Sequence, residues 1–277
     1  MKRFGLIGHP IAHSLSPALF KAAYGGKYPY DLIEESDFEA AYERFLQEYD
    51  GVNVTAPFKE AAFRKAATCS SACEAIGAAN ILIKQEGSVR ADNSDVLGVV
   101  GAVAPYRDSL PKRPLALIVG CGGAAKAAAY ATWQCLGFET VIINRDVSKA
   151  QDFVNRLAMT ENALPISAAG FEDFRKHFRK ADLIIYTLPI AVPALSDLKR
   201  CDITGGALWN PDQRKIILEA NYKDPAFTPE IQARMCRRNH KLTFISGKEW
   251  LLHQAVGAYR IFTGEGPDTE AMQRVIA

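Results

Sequence analysis

The sequence predicts an α/β protein made of two α/β domains. Three observations carry that expectation. Short apolar, β-branched runs alternate with helical stretches along the chain, as parallel strand–helix–strand layers require. A stretch rich in proline and charge, "PYRDSLPKRP" at 105–114, separates two such series as an exposed linker would. Directly after it, "LALIVGCGGAAKA" at 115–127 sets an apolar run, a glycine turn and a helix in immediate succession.

Taken in order, strands are expected at 3–8, 29–34, 51–55, 79–84, 115–119, 139–144, 181–186, 214–219 and 242–245. Helices are expected at 16–25, 37–48, 59–67, 94–103, 123–136, 147–158, 228–239 and 248–263. A length of 277 residues accommodates two domains at about 100–200 residues each. Hydrophobic residues make up 48% and charged residues 23%, the profile of a globular chain. A formal net charge of +2 leaves no polyanion footprint, so neither nucleic acid nor a membrane surface is an expected partner. The longest apolar runs fall far below the ~18 residues of a membrane span, and the start "MKRFGLIGHPIAHS" is too interrupted for a signal peptide. A cytoplasmic protein is therefore expected. The six cysteines read as free thiols. Cys69 and Cys73 are four apart with no second pair at zinc-site spacing, so no metal is expected.

The glycine turn is the first chemical signal. Gly120, Gly122, Gly123 and Ala124 follow the strand, in a G-x-G-x-x-A pattern that opens a helix. Gly120 permits the tight turn, Gly122 lets the backbone approach a pyrophosphate, and the helix start offers free N–H groups and a partial positive charge. Without a ligand the same residues would make a tight strand-to-helix turn. The next strand, "TVIINRD", ends in Asn144 and Arg145, and Lys149 lies one helical turn further on. An acid at this tip would accept from a ribose 2′-hydroxyl; two cations suit a 2′-phosphate, so NADP is favoured over NAD. Asp146 counts against this if its carboxylate turns inward.

The first domain carries a second set. In "GVNVTAPFK", Val52 and Val54 share one face of a strand, and Asn53 and Thr55 the other. Pro57 stops the strand, so that Lys59 falls near its carboxyl end, where open α/β sheets bind ligands. In "GHPIAHSLSP", Ser14 and Ser16 flank Leu15 ahead of a helix, an anion seat sized for a carboxylate unless Ser16 is only a helix cap. Asn80 enters a strand in "GAANILI". Asn93, Ser94 and Asp95 precede a helix, and Asp95 either caps it or pairs with Lys59.

The segments "HPIAHSLSP", "NVTAPFK", "GAAN", "NSDVLG", "GCGGAAKA", "NRD" and "LLHQA", in this order, resemble the shikimate dehydrogenase family. The resemblance runs from residue 8 to about 257. It implies a substrate domain at 1–100 plus 244–277, a Rossmann domain at 101–243, and an active site in the cleft between them. It implies reduction of 3-dehydroshikimate to shikimate with NADPH, in chorismate and aromatic amino-acid biosynthesis, by a monomer or homodimer. By the same resemblance, Lys59 and Asp95 match the catalytic pair. Ser14 and Ser16 seat the substrate carboxylate, with Thr55 and Tyr222 close by. Asn80, Asp95 and Gln254 hold the ring hydroxyls; Gly122, Gly123 and Ala124 cover the pyrophosphate; Asn144, Arg145 and Lys149 surround the adenosine end. His13 and His253 are read as supporting residues.

The chain departs from the family pattern at three places. Asp146 stands where Thr is usual, "YTLPIAVPAL" (Tyr186, Thr187, Pro189) replaces an Asn followed by Thr or Ser and a downstream Gly-Met, and "SGKEWLLHQ" lacks a Gly-Met before the last long helix. These leave two alternatives open: a quinate/shikimate dehydrogenase using NAD, and a non-catalytic cofactor-binding regulator on the same fold.

Overall fold

A computed structural model describes residues 1–159, 164–205 and 214–277. The chain forms two compact units, one of residues 1–98 with 251–277 and one of residues 99–250.

The first unit begins with β1 (Phe4–Gly8), α1 (Ser16–Tyr24), β2 (Tyr30–Glu34), α2 (Phe38–Glu48), β3 (Gly51–Val54) and α3 (Lys59–Lys65). It continues with β4 (Thr68–Cys69), α4 (Ser71–Ile76), β5 (Ile81–Gln85), β6 (Ser88–Asp92) and α5 (Asp95–Val103), whose last turns enter the second unit. The sheet order is β2-β1-β3-β5-β6-β4. The sequence reading expects parallel layers, and β1 does pair parallel with β2 and β3. Strand β5, however, runs antiparallel to both β3 and β6. The β5–β6 reversal comes from a two-residue hairpin that the sequence reading leaves out: Glu86 (φ 50°) and Gly87 (φ 77°) both take left-handed backbone, which matches the twist of the flanking strands.

The second unit holds β7 (Leu115–Val119), α6 (Gly123–Tyr130), β8 (Glu139–Ile143), α7 (Val147–Ala158), β9 (Ile166–Ala169) and α8 (Phe174–Lys180). After these come β10 (Leu183–Tyr186), α9 (Arg200–Thr204), β11 (Lys215–Glu219), α10 (Pro229–Cys236) and β12 (Leu242–Ser246). The order β12-β11-β10-β7-β8-β9 is parallel throughout, the doubly wound arrangement of dinucleotide-binding sheets. The supposed linker at 105–114 is partly structured, since residues Ala104–Ser109 form a 3₁₀ helix. The helix expected at 123–136 divides into α6 and a π turn over Ala131–Cys135. Helix α11 (Gly247–Thr263) and helix α12 (Thr269–Ile276) complete the chain, α11 passing from the second unit to the first.

Burial follows the periodicities. Helix α7 buries Ala150, Phe153, Val154 and Leu157, the i, i+3, i+4, i+7 stripe of an amphipathic helix. In the first unit, Ile7, Ile33, Val52, Val54 and Leu82 pack on Phe38, Tyr42 and Phe45 of α2. The opposite face buries Phe4 and Ile81 under Leu19 and Phe20 of α1, Tyr259 and Phe262 of α11, and Met272 of α12. Each such side chain contributes about 1.5–3 kcal/mol relative to exposure. No helix of the described residues is long and apolar enough to cross a membrane.

One buried charge in the second unit is structural. Lys215, 0% exposed on β11, donates from Nζ to the carbonyls of Phe178 (2.9 Å), Arg179 (3.2 Å) and Ala181. These lie at the end of α8, where carbonyls lack intrahelical partners and the helix dipole favours a cation. Burial pushes the ammonium down to about 8. The folded state therefore releases this proton before the unfolded state does, so the group's contribution to stability rises with pH from about 8 to the ordinary lysine value. Replacing Lys215 with Met removes the donor from these carbonyls and is expected to cost about 1–3 kcal/mol. Urea denaturation should show the gap between wild type and Lys215→Met widening between about pH 7 and pH 10.

Candidate active site

In the first unit the site grows from the carboxyl ends of β1 and β3. The strand alternation holds: Val52 and Val54 enter the apolar core, while Asn53 turns to the other face and accepts from the Tyr30 hydroxyl (2.8 Å). After β3 the chain turns at Thr55, whose carbonyl accepts from Phe58 N, and α3 starts at Lys59. Gly8 ends β1 against this turn, and a Cβ there would lie 2.3 Å from the Thr55 methyl and 2.7 Å from Ile11. Only glycine lets the two strand ends approach so closely.

Lys59 Nζ donates to Asp95 Oδ2 at 2.5 Å, with side chains only 16% and 9% exposed. Asp95 is the first residue of α5, and its N–H donates to the Asn93 side chain (3.1 Å). It is Asn93 that supplies this local bond, which leaves the Asp95 carboxylate for the lysine. Among the described residues Lys59 Nζ makes no other hydrogen bond, so two of its three N–H donors are uncommitted.

A buried amide network borders this pair. Asn80, 3% exposed, accepts from Ser94 N at Oδ1 (2.7 Å) and donates from Nδ2 to Ser94 Oγ (3.1 Å) and Gln254 Oε1 (3.3 Å). Its carbonyl accepts from Val54 N (2.8 Å), and the neighbouring Ala79 N donates to the Lys59 carbonyl (2.8 Å). Four sequence-predicted residues, Lys59, Asp95, Asn80 and Gln254, are thus bound into one cluster.

Ser14 and Ser16 come together as a pair, with hydroxyls 3.1 Å apart. Ser16 is not a helix cap: it is the first residue of α1, and Leu15 holds the cap position with no side-chain bond. Ser16 is buried, and the Tyr259 hydroxyl donates to its carbonyl (3.1 Å). Burial drives the Tyr30 and Tyr259 hydroxyls far above the ordinary phenol range, so both are neutral donors. His13 is exposed and His253 half-buried.

Tyr222 belongs to the second unit, where it lines a cavity of about 180 Å³ with Glu219, Asn221, Phe244 and Ser246. The glycine turn lies in the same unit. Gly120 has φ +114°, and a Cβ there would lie 2.6 Å from the Thr187 hydroxyl. Gly122 caps α6 with no side-chain bond, and a Cβ on it would meet nothing within 4 Å. Gly123 and Ala124 form the first turn of that helix. The combination offers open backbone at a helix start, as a pyrophosphate needs.

At the tip of β8, Asn144 Nδ2 donates to the Asp146 carbonyl (2.9 Å), and Arg145 and Lys149 are exposed. Asp146 is the cap of α7. Its carboxylate accepts from Ser148 Oγ (2.6 Å) and Lys149 N (3.2 Å), and these bonds hold its pKa below the usual carboxylate value. The acid is turned onto its own helix, and the two cations flank the strand tip. These residues fit a dinucleotide with a 2′-phosphate.

Two contributors, Tyr30 and Tyr259, fall outside the sequence-derived set, and two more, Asn53 and Ser94, are named by the sequence reading without a site role. Asn53 and Ser94 lie inside the recognised motifs, and their polarity on a buried strand face and at a helix start is a usable signal. Tyr30 and Tyr259 have apolar bodies in the core, and only their hydroxyl tips reach the site.

Residues 6–82 match the family described as shikimate dehydrogenase substrate binding domain. The chain is 31% identical over 192 residues to shikimate dehydrogenase (NADP(+)) from Legionella pneumophila, covering 67% of this chain and 68% of that protein. It is 29% identical over 286 residues to the pentafunctional AROM polypeptide of Candida tropicalis, covering 99% of this chain but only 18% of that much longer protein. Its fold is similar to the crystal structure of shikimate 5-dehydrogenase from Thermus thermophilus in complex with NADP(H) and shikimate, with TM-score 0.77, 27% identity and coverage of 100% of this chain and 98% of that one.

The amide network yields an expected outcome. Ser94→Ala removes a 1%-exposed hydroxyl and leaves polar groups on Asn80 and Gln254 without it, at a cost of about 1–2 kcal/mol in urea denaturation.

Proposed function

The chain belongs to the shikimate dehydrogenase family, and from that premise we propose that it catalyses the reversible NADP-dependent reduction of 3-dehydroshikimate to shikimate. The observation that carries this reading is the Lys59–Asp95 pair, a mostly buried ammonium held by one carboxylate with two donors to spare. A ketone that accepts hydride develops negative charge on its oxygen, and that charge needs a proton or a cation within hydrogen-bond reach. Lys59 supplies either. Asp95 fixes the ammonium in place, and in the oxidation direction Lys59 accepts the hydroxyl proton.

Bound NADPH supplies the hydride. In our assignment the first unit, 1–98 with 251–277, takes the substrate and the second, 99–250, takes the cofactor, a few residues from the boundaries at 100 and 244 expected from the sequence. Ser14 and Ser16 seat the carboxylate, with Thr55 and Tyr222 as further substrate contacts. Asn80, Asp95 and Gln254 hold ring hydroxyls, and the Asn80 amide, already tied to Ser94 and Gln254, keeps its orientation when substrate binds. Gly120, Gly122, Gly123 and Ala124 take the pyrophosphate. Asn144, Arg145 and Lys149 take the 2′-phosphate end, a role supported by the engagement of Asp146 with its own helix. We place the enzyme in the cytoplasm as a monomer or homodimer without a nucleic-acid partner.

Initial rates with shikimate and quinate, each with NADP and NAD, test the assignment directly. Shikimate with NADP should dominate, and a preference for quinate with NAD would overturn it. Lys59→Ala should lower kcat by about 10²–10⁴-fold, the range of general acid–base and electrostatic contributions. A loss below about tenfold would remove the chemistry from this residue. Arg145→Ala should raise the Kd for NADPH by about tenfold while leaving that for NADH nearly unchanged, because the guanidinium's bidentate bonds are to the 2′-phosphate; titration of cofactor fluorescence reads both.

A further inference from the structure

The segment after β10 is one of the three places where the sequence departs from the family pattern, and its structure shows what holds it. Tyr186, the last residue of β10, is 0% exposed. Its hydroxyl donates to the Ile190 carbonyl (2.7 Å) and accepts from Val192 N (3.0 Å), and its ring packs edge-on to Phe227 with centroids 5.5 Å apart. The main chain of 187–192 is thereby tied at two points to a side chain that cannot move without disturbing the core. Thr187 adds a third tie through Oγ1 to the Val119 carbonyl (2.8 Å).

The place of this segment is set by topology. Tyr186 pairs with Val119, the residue before Gly120, so β10 and β7 end side by side. The chain leaves β7 toward β8 and β9 on one side, then returns to β10 on the other. That reversal is the switch point at which a doubly wound sheet holds a dinucleotide. Helix α6 and the tip of β8 account for the pyrophosphate and adenosine ends, which leaves the β10 side for the remaining half of the molecule. Ile190 stands there with 71% exposure, a large apolar side chain in water.

We propose that the Tyr186 hydroxyl is a positioning group that holds residues 187–192 as a preformed wall for the nicotinamide half of the cofactor, with Ile190 as its apolar contact. The inference rests on the NADP reading given above. Ordering the wall in advance spares the cofactor the entropy of ordering it on binding.

The test separates the two halves of the cofactor. Isothermal titration is run with NADPH and with adenosine 2′,5′-bisphosphate, which lacks the nicotinamide half, on wild type, Tyr186→Phe and Ile190→Ser. The second variant alters only an exposed side chain and keeps the test open if the first folds poorly. Both variants should weaken NADPH about 3–10-fold, the worth of one hydrogen bond or a partly buried apolar contact, and leave the bisphosphate unchanged. Equal weakening of both ligands, or of neither, overturns the inference while leaving the NADP reading intact. A wild-type protein that binds neither ligand overturns the NADP reading, and this inference with it.

Discussion

One buried amide holds the surroundings of the Lys59–Asp95 pair together. Asn80 sits where β3 ends, where the connection from α4 enters β5, where α5 begins and where α11 passes, and it bonds to a residue of each of β3, α11 and the Asn93–Ser94 turn. An amide in the protein interior is stabilising only if its donors and acceptor are satisfied, and here both ends of the side chain and both backbone groups are engaged. Its neighbours inherit the constraint. Lys59 is fixed through the Ala79 N–H to its carbonyl, and Asp95 through Asn93, so the ion pair is set between two anchored backbones. The ammonium is thereby held in place in advance, the condition under which electrostatic stabilisation is most effective.

Much of this is legible in the sequence because the signals are local. The doubly wound order follows from strand–helix alternation and a glycine turn, and the polar face of β3 from simple alternation. Lys59 and Asp95 are 36 residues apart, and their pairing is only one of two uses open to Asp95 until the fold places α3 beside the start of α5. The antiparallel β5–β6 hairpin escapes a sequence reading because its turn, Glu86–Gly87, sits in a charged stretch that reads as surface. Strand β9 and helix α8 escape for a similar reason: β9 is partly exposed, and α8 is a basic run with only Phe174 and Phe178 buried. Tyr30 and Tyr259 contribute single hydroxyl groups from core residues, and no pattern in one dimension announces which aromatic tip meets a polar partner.

The two units differ in the polar groups they present. The first supplies hydroxyls, amides and one ion pair, all suited to a small, densely hydroxylated acid. The second supplies backbone at a helix start and two surface cations, suited to phosphates. Lys215 shows that a buried charge need not be part of either set, since its nitrogen is consumed by the end of α8.

Asp146 has a consequence for anyone wishing to alter this protein. At the tip of β8 an acid would ordinarily be the handle for redesigning nucleotide preference, but here its Oδ1 is already committed to the first turn of α7. Turning that carboxylate toward a ribose would uncap the helix that carries Lys149. Local folding is therefore welded to this residue: a substitution at Asp146 strips α7 of its cap before it alters anything at the strand tip.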